Sequence, residues 1–327
     1  MSEPAQLAEP AVAAVVPAAP PPAPAPQSEP RTSHLPPPAA HAQPLSAAFQ
    51  NTVSVVQDAE PQNALTQKFT EPEWAALREL RAQLPDVFAD AFPDRPKPVA
   101  PVTIWGVTID AASPRDARVS VVLMKFLRAR DLDVPAARTM LTETLRWRDA
   151  FKIDEVVKAS YDEKTFGNIG KIFGHDKEGR PVVYNLYGEN KHAFDDVDVF
   201  IRWRIAFMEK SIGELDFETR DQTLQIHDYG GVSVLFGRNA NQKAAAAQAT
   251  QIFRDYYPEF LSNKFFVNMP SVLSWVFWIF KSILPAKTLA KMNMVGSGRS
   301  TIAAALLPYI DASQLPKRYG GDAPDFA

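Results

Sequence analysis

The apolar positions of this chain recur at two periods, and the change between them divides it. From Thr70 onwards Trp74, Leu77, Leu80 and Leu84 follow at three- and four-residue steps until Pro85, the spacing of one helix face. Thr70-Glu71-Pro72-Glu73 supplies the start, with an N-cap threonine, a proline in the first turn and a glutamate three residues on. Val87–Phe92 adds a short turn. Helical spacing returns in Ala117–Arg130, through Val121, Val122, Met124, Phe126 and Leu127, and in Val134–Phe151, through Ala137, Met140, Leu141, Leu145 and Trp147. These stretches predict an N-terminal helical subdomain over residues 67–155.

From Phe166 the period shortens. Gly170–Tyr187 predicts strand, turn, strand. Helices are expected over Val197–Leu215, Gln242–Tyr257, Pro270–Leu284, Pro285–Met294 and Ser300–Leu307, with strands at Thr223–Tyr229 and Lys264–Asn268. Strands alternating with helices predict an α/β fold on a mostly parallel sheet. Its strand Thr223–Tyr229 is unusual. Leu224, Ile226 and Asp228 take one face; Thr223, Gln225, His227 and Tyr229 take the other. An internal parallel strand is normally apolar on both sides, so a polar face needs solvent or a ligand to satisfy it. That face is expected to line a cavity.

Composition narrows the classes. The first fifty residues hold 13 of the 29 prolines, a composition that favours polyproline II over a packed core, and residues 1–66 read as a disordered tail. The net charge of −3 lacks the basic footprint of nucleic-acid binding. The absence of cysteine excludes disulfides, thiolate metal sites and cysteine nucleophiles. No secretory signal is evident, and the longest uncharged apolar run, Met269–Phe280, falls short of the roughly 20 residues of a spanning helix; a soluble protein is expected. Phosphate loops, dinucleotide fingerprints and helix-borne zinc motifs are missing, and Gly296-Ser297-Gly298 lacks the strand-and-elbow context of a hydrolase. No dedicated enzyme is expected.

A family resemblance then enters. Lys125-Phe126-Leu127-Arg128-Ala129-Arg130 and Trp147-Arg148 resemble the N-terminal helices of the CRAL-TRIO lipid-transfer family. Gly179-Arg180-Pro181-Val182, Tyr256-Tyr257-Pro258-Glu259, Phe266-Val267-Asn268-Met269-Pro270 and Leu315-Pro316-Lys317-Arg318-Tyr319-Gly320-Gly321 resemble its later landmarks, in order. The resemblance implies a bowl-like ligand-binding domain over residues 156–327, with a deep hydrophobic pocket and a helical gate, here Pro270–Leu284, that meets membranes during exchange. It also implies a phosphatidylinositol headgroup site, carried here by Glu259, Thr288 and Lys291. A basic pair that assists in relatives is reduced to Arg130 followed by Asp131.

Within the family, Trp203-Arg204, Met208-Glu209-Lys210-Ser211 and His227-Asp228-Tyr229 most resemble the fungal phosphatidylinositol-transfer subgroup that binds haem. This closer resemblance implies haem b in the pocket, with Tyr229 as axial ligand to the iron and His227 as its partner; the reverse assignment, His227 on iron, stays open. Arg204, Tyr184 and Lys264 are expected to receive the propionates. The implied function is a haem-binding, phosphatidylinositol-transfer-like protein, cytoplasmic and peripherally associated with endoplasmic reticulum membranes. The alternative is a plain phosphatidylinositol carrier.

Overall fold

The computed structural model describes residues 60–232, 240–269 and 286–326. Helix α1 (Glu71–Ala82) begins as its sequence predicts: the Thr70 hydroxyl accepts from the Glu73 amide, and the Glu73 carboxylate accepts from the Thr70 amide at 2.8 Å. The chain is anchored earlier than its periodicity suggests. Glu60 accepts from the buried Arg81 guanidinium at 2.8 Å, and Asn63 donates to the Phe217 carbonyl at 2.9 Å. Residues 60–66 thus belong to the folded part, held by polar contacts that leave no apolar period to read. The rest of the expected tail lies outside the described residues.

Val87–Ala91 belongs to a second helix, α2 (Leu84–Ala91), with Phe92 as its C-cap, rather than to a short turn. An unpredicted hairpin follows, β1 (Val102–Ile104) with β2 (Val107–Ile109). Its two-residue turn, Trp105-Gly106, has φ of 52° and 76°, the left-handed pair that hairpins favour. Helices α3 (Ala117–Arg128) and α4 (Val134–Phe151) are capped by Asp116 and Asp133. Two short helices, α5 (Ile153–Lys158) and α6 (Glu163–Phe166), lead to the sheet.

The five strands are β3 (Gly170–His175), β4 (Pro181–Leu186), β5 (Thr223–Asp228), β6 (Leu261–Val267) and β7 (Met292–Met294), side by side in chain order. Only β3 and β4 pair antiparallel; the other neighbours run parallel. A bulge between Ile172 and His175 breaks the β3 ladder. Helices α7 (Val197–Ile212), α8 (Ala240–Tyr256), α9 (Ala286–Leu289) and α10 (Arg299–Leu306) accompany the strands. The helix expected over Pro285–Met294 is therefore two elements, α9 and the strand β7. Three residues of strand are too few for a period of two to show in sequence. The expected gate helix, Pro270–Leu284, lies outside the described residues.

The sheet separates two interiors. On one side Val182, Tyr184, Leu186, Leu224, Ile226, Phe265 and Val267 pack with Ile302, Leu306 and Tyr319. On the other, Val183 joins a core shared by α1 to α4 and by Phe200, Phe207 and Met208 of α7. Among the described residues no helix is long and apolar enough to cross a membrane.

Candidate functional site

Strand β5 carries apolar side chains to one interior and polar ones to the other, as its alternation predicts. Asp228 holds its far end. Its Oδ2 accepts from Tyr319 Oη at 2.8 Å, and its Oδ1 accepts from Asn268 Nδ2 at 2.8 Å and the Gly230 amide at 2.7 Å. With Asp228 fastened on one side, Tyr229 is presented on the other, its amide donating to Val267 O at 3.0 Å. The adjoining turn also depends on a close backbone approach. A Cβ on Gly188 would lie 1.8 Å from the Gly230 carbonyl oxygen, a backbone atom that cannot swing aside. Gly188→Ala is therefore expected to cost about 1–3 kcal/mol in urea unfolding; a loss below about 0.5 kcal/mol would show that this turn is free to move.

Register sets the rest of the polar face. Asn185, His227 and Phe266 form one row across β4, β5 and β6, and Val183, Gln225 and Lys264 the next. Tyr187 prolongs β4, its amide donating to Asp228 O at 3.0 Å. Its hydroxyl lies 3.2 Å from His227 Nδ1, while His227 Nε2 lies 3.4 Å from Gln225 Oε1. The rings of Tyr187 and Tyr229 stand 5.4 Å apart. From α7, Arg204 reaches the same region with its guanidinium 4.7 Å from the Phe253 ring.

Several groups here lack what burial requires. Arg204 is 4% exposed, yet its Nη1 has no hydrogen-bond partner among the described residues, and neither end of the fully buried Asn185 amide has one there. Unpaired buried polar atoms cost about 1–3 kcal/mol each. Burial, then the charges of Lys264 and Arg204, holds the His227 imidazole well below its usual pKa, so it is neutral at pH 7. Burial and then Arg204 push the half-buried Lys264 ammonium down to about 7. Burial, with Tyr187 adding to it, raises the Tyr229 phenol well above its usual value. Burial lowers Arg204, and the Tyr187 oxygen partly offsets this. No carboxylate is among the charges acting on His227, Lys264 or Arg204.

Arg204, His227, Tyr229 and Lys264 are thus brought together. Tyr184 is not. It pairs with Ile226 rather than His227 and stacks on Tyr319 at 5.6 Å in the opposite interior, because its place in β4 has the wrong parity for the polar face. Tyr187 and Asn185, of the right parity, occupy the ground expected of it. Sequence alone could not distinguish them, since parity acquires meaning only once β4 is registered against β5.

The expected headgroup residues also meet. Lys291 Nζ donates to Glu259 Oε2 at 3.1 Å, and the Thr288 carbonyl accepts from the Lys291 amide at 3.1 Å. Asp131, where relatives were expected to carry a second cation, instead accepts from Lys287.

Comparison with known proteins bears directly on this arrangement. A CRAL/TRIO domain is matched over residues 166–321, and the CRAL/TRIO N-terminal domain over residues 76–143. The chain belongs to the CRAL/TRIO family. It is 36% identical over 267 residues to the phosphatidylinositol transfer protein sfh5 of Aspergillus oryzae, covering 76% of this chain and 56% of that protein. It is 37% identical over 244 residues to Patellin-3 of Arabidopsis thaliana, covering 67% of this chain and 45% of that protein. The chain thus spans about half the length of the curated relatives it matches. The crystal structure of Sfh5 aligns with a TM-score of 0.59 at 25% identity, over 72% of this chain and 84% of that one.

Two buried ion pairs join the N-terminal helices of this chain to its CRAL/TRIO domain. Lys125 of α3, nearly inaccessible, donates to the Asp221 carbonyl at 2.5 Å, to Asp221 Oδ2 at 2.9 Å and to the Glu259 carbonyl at 3.1 Å. Arg148 of α4 makes a forked pair with Glu209 of α7, at 2.6 and 3.0 Å, and Tyr257 Oη donates to the same Glu209 at 2.6 Å. Residues that mark the family in sequence are therefore fasteners between its two parts. Their identity was legible; their partners, more than fifty positions away, were not.

Proposed function

We propose that this CRAL/TRIO protein holds ferric haem b on the polar face of β5, with Tyr229 as axial ligand and Arg204 and Lys264 facing the propionates. The observation that carries the reading is Arg204: a buried guanidinium with an unpartnered Nη1, on the face that presents Tyr229. An isolated buried charge is strongly unfavourable unless a counter-charge meets it. Charge accounting favours haem. The ferric porphyrin core bears one positive charge, which a Tyr229 phenolate would cancel. Two propionates then remain, matched in number by Arg204 and Lys264. An anion beside Lys264 would also restore the charge that burial suppresses. When bound, haem supplies a ferric centre, for which a phenolate oxygen is an apt ligand.

Phosphatidylinositol exchange is the second activity proposed, with Glu259, Thr288 and Lys291 at the headgroup. It is supported by the fungal relatives, which are named phosphatidylinositol transfer proteins, and by the Lys291–Glu259 pair. Exchange would need transient contact with a membrane surface, proposed here to be that of the endoplasmic reticulum facing the cytoplasm. One experiment separates the readings: an absorption spectrum of the purified protein with total iron counted. A Soret band with about one iron per chain supports haem. A colourless, iron-free protein that still moves phosphatidylinositol between vesicles would make it a plain carrier.

A further inference from the structure

We infer that Tyr187 is a positioning residue of this pocket: its hydroxyl donates to His227 Nδ1 and so holds the imidazole as the Nε2–H tautomer, turned away from iron. A neutral imidazole has one N–H and one bare nitrogen, and His227 meets a different partner at each. Nδ1 lies 3.2 Å from Tyr187 Oη, and Nε2 lies 3.4 Å from Gln225 Oε1. The amide oxygen only accepts, so Nε2 carries the proton and Nδ1 accepts.

A second observation gives the same direction. The Arg204 guanidinium interacts with the Tyr187 oxygen, and a guanidinium has no acceptor to offer. It therefore meets the lone pairs of Oη, and the hydroxyl proton is turned from Arg204 towards His227. The chain of groups runs from Arg204 through Tyr187 and His227 to Gln225, each passing a donor to the next. Both imidazole nitrogens are then engaged within the protein. Phe266 packs on the ring at 5.5 Å between centroids, and Lys264 beside it is cationic; the Asn185 amide, in the same row, makes no hydrogen bond to the imidazole. With both nitrogens so engaged, His227 has no lone pair left to offer a metal on this face.

The tautomer can be tested without haem; the consequence for the iron rests on the haem reading. In haem-free full-length protein with 15N-labelled histidine, the His227 resonances should show a protonated Nε2 and a bare, hydrogen-bonded Nδ1. Tyr187→Phe should abolish the hydrogen-bonded Nδ1 signal and give a tautomer mixture, while far-ultraviolet circular dichroism stays the same. A proton on Nδ1 in the unmodified protein would overturn the inference, whether or not the variant folds; so would an unchanged tautomer in a folded variant. In haem-loaded protein, Tyr187→Phe should release the imidazole and add nitrogen ligation to the electron paramagnetic resonance spectrum, and an unchanged spectrum would overturn the iron-shielding role. A chain that takes up no haem refutes the functional reading and leaves the tautomer measurement to decide this one.

Discussion

Tyr229→Phe is expected to abolish the phenolate-to-iron charge-transfer band of the haem-loaded protein while leaving its fold nearly intact. The phenol is 5% exposed and its ring sits among Tyr187, at 5.4 Å, and Phe266, at 6.4 Å. Phenylalanine preserves that ring packing and removes one oxygen, a change worth about 1 kcal/mol of stability. The spectral effect should be far larger. Burial keeps the Tyr229 phenol protonated at neutral pH, so any phenolate absorption there reports the metal rather than the pocket. Arg204→Ala should behave differently, weakening haem retention with the band in place, because the guanidinium is proposed to answer the propionates and not the iron. A band that survives Tyr229→Phe would remove Tyr229 from the iron.

The largest loss of stability is expected at Glu209. Its carboxylate, 9% exposed, is shared by Arg148 and Tyr257, and Arg148 is itself only 12% exposed, with its guanidinium 5.7 Å from the Trp105 ring. Taking away one member of such a pair leaves an uncompensated charge in the interior, at a cost of about 3–5 kcal/mol. Glu209→Ala should lower the free energy of urea unfolding by that amount. Replacing both partners at once, as Arg148→Met with Glu209→Leu, should cost less than either single change, since no buried charge is stranded. If Glu209→Ala costs under about 1 kcal/mol, water reaches the pair and it does not fasten α4 to α7.

What could be read from the sequence follows from how local each signal is. The capping box at Thr70 and the apolar stripe of Val134–Phe151 are complete within a few turns, and the structure reproduces both, α4 to the residue. The two-faced character of Thr223–Tyr229 is equally local, since alternation depends on the strand alone. The hairpin at Trp105-Gly106 went unpredicted because strands of three residues carry almost no pattern. The error over Tyr184 arose between strands: one position of register decides whether a side chain joins the polar face of β5 or the opposite core. Tyr187, three residues further on and of the opposite parity, was invisible for the same reason. The anchoring of Glu60 by Arg81 was hidden too, since a polar contact across twenty-one positions leaves no periodic trace.

The two outer strands bear on how copies of this chain behave towards one another. An open sheet exposes unpaired amides and carbonyls at each margin, and a long flat margin is a template for joining another chain. Here the β3 margin is bent by the bulge between Ile172 and His175, and the β7 margin runs for only three residues. Neither gives a second molecule a ladder long enough to extend. The sheet can therefore devote one face of its central strand to polar side chains without its edges inviting aggregation, and a substitution that straightened β3 would be felt first as a loss of solubility.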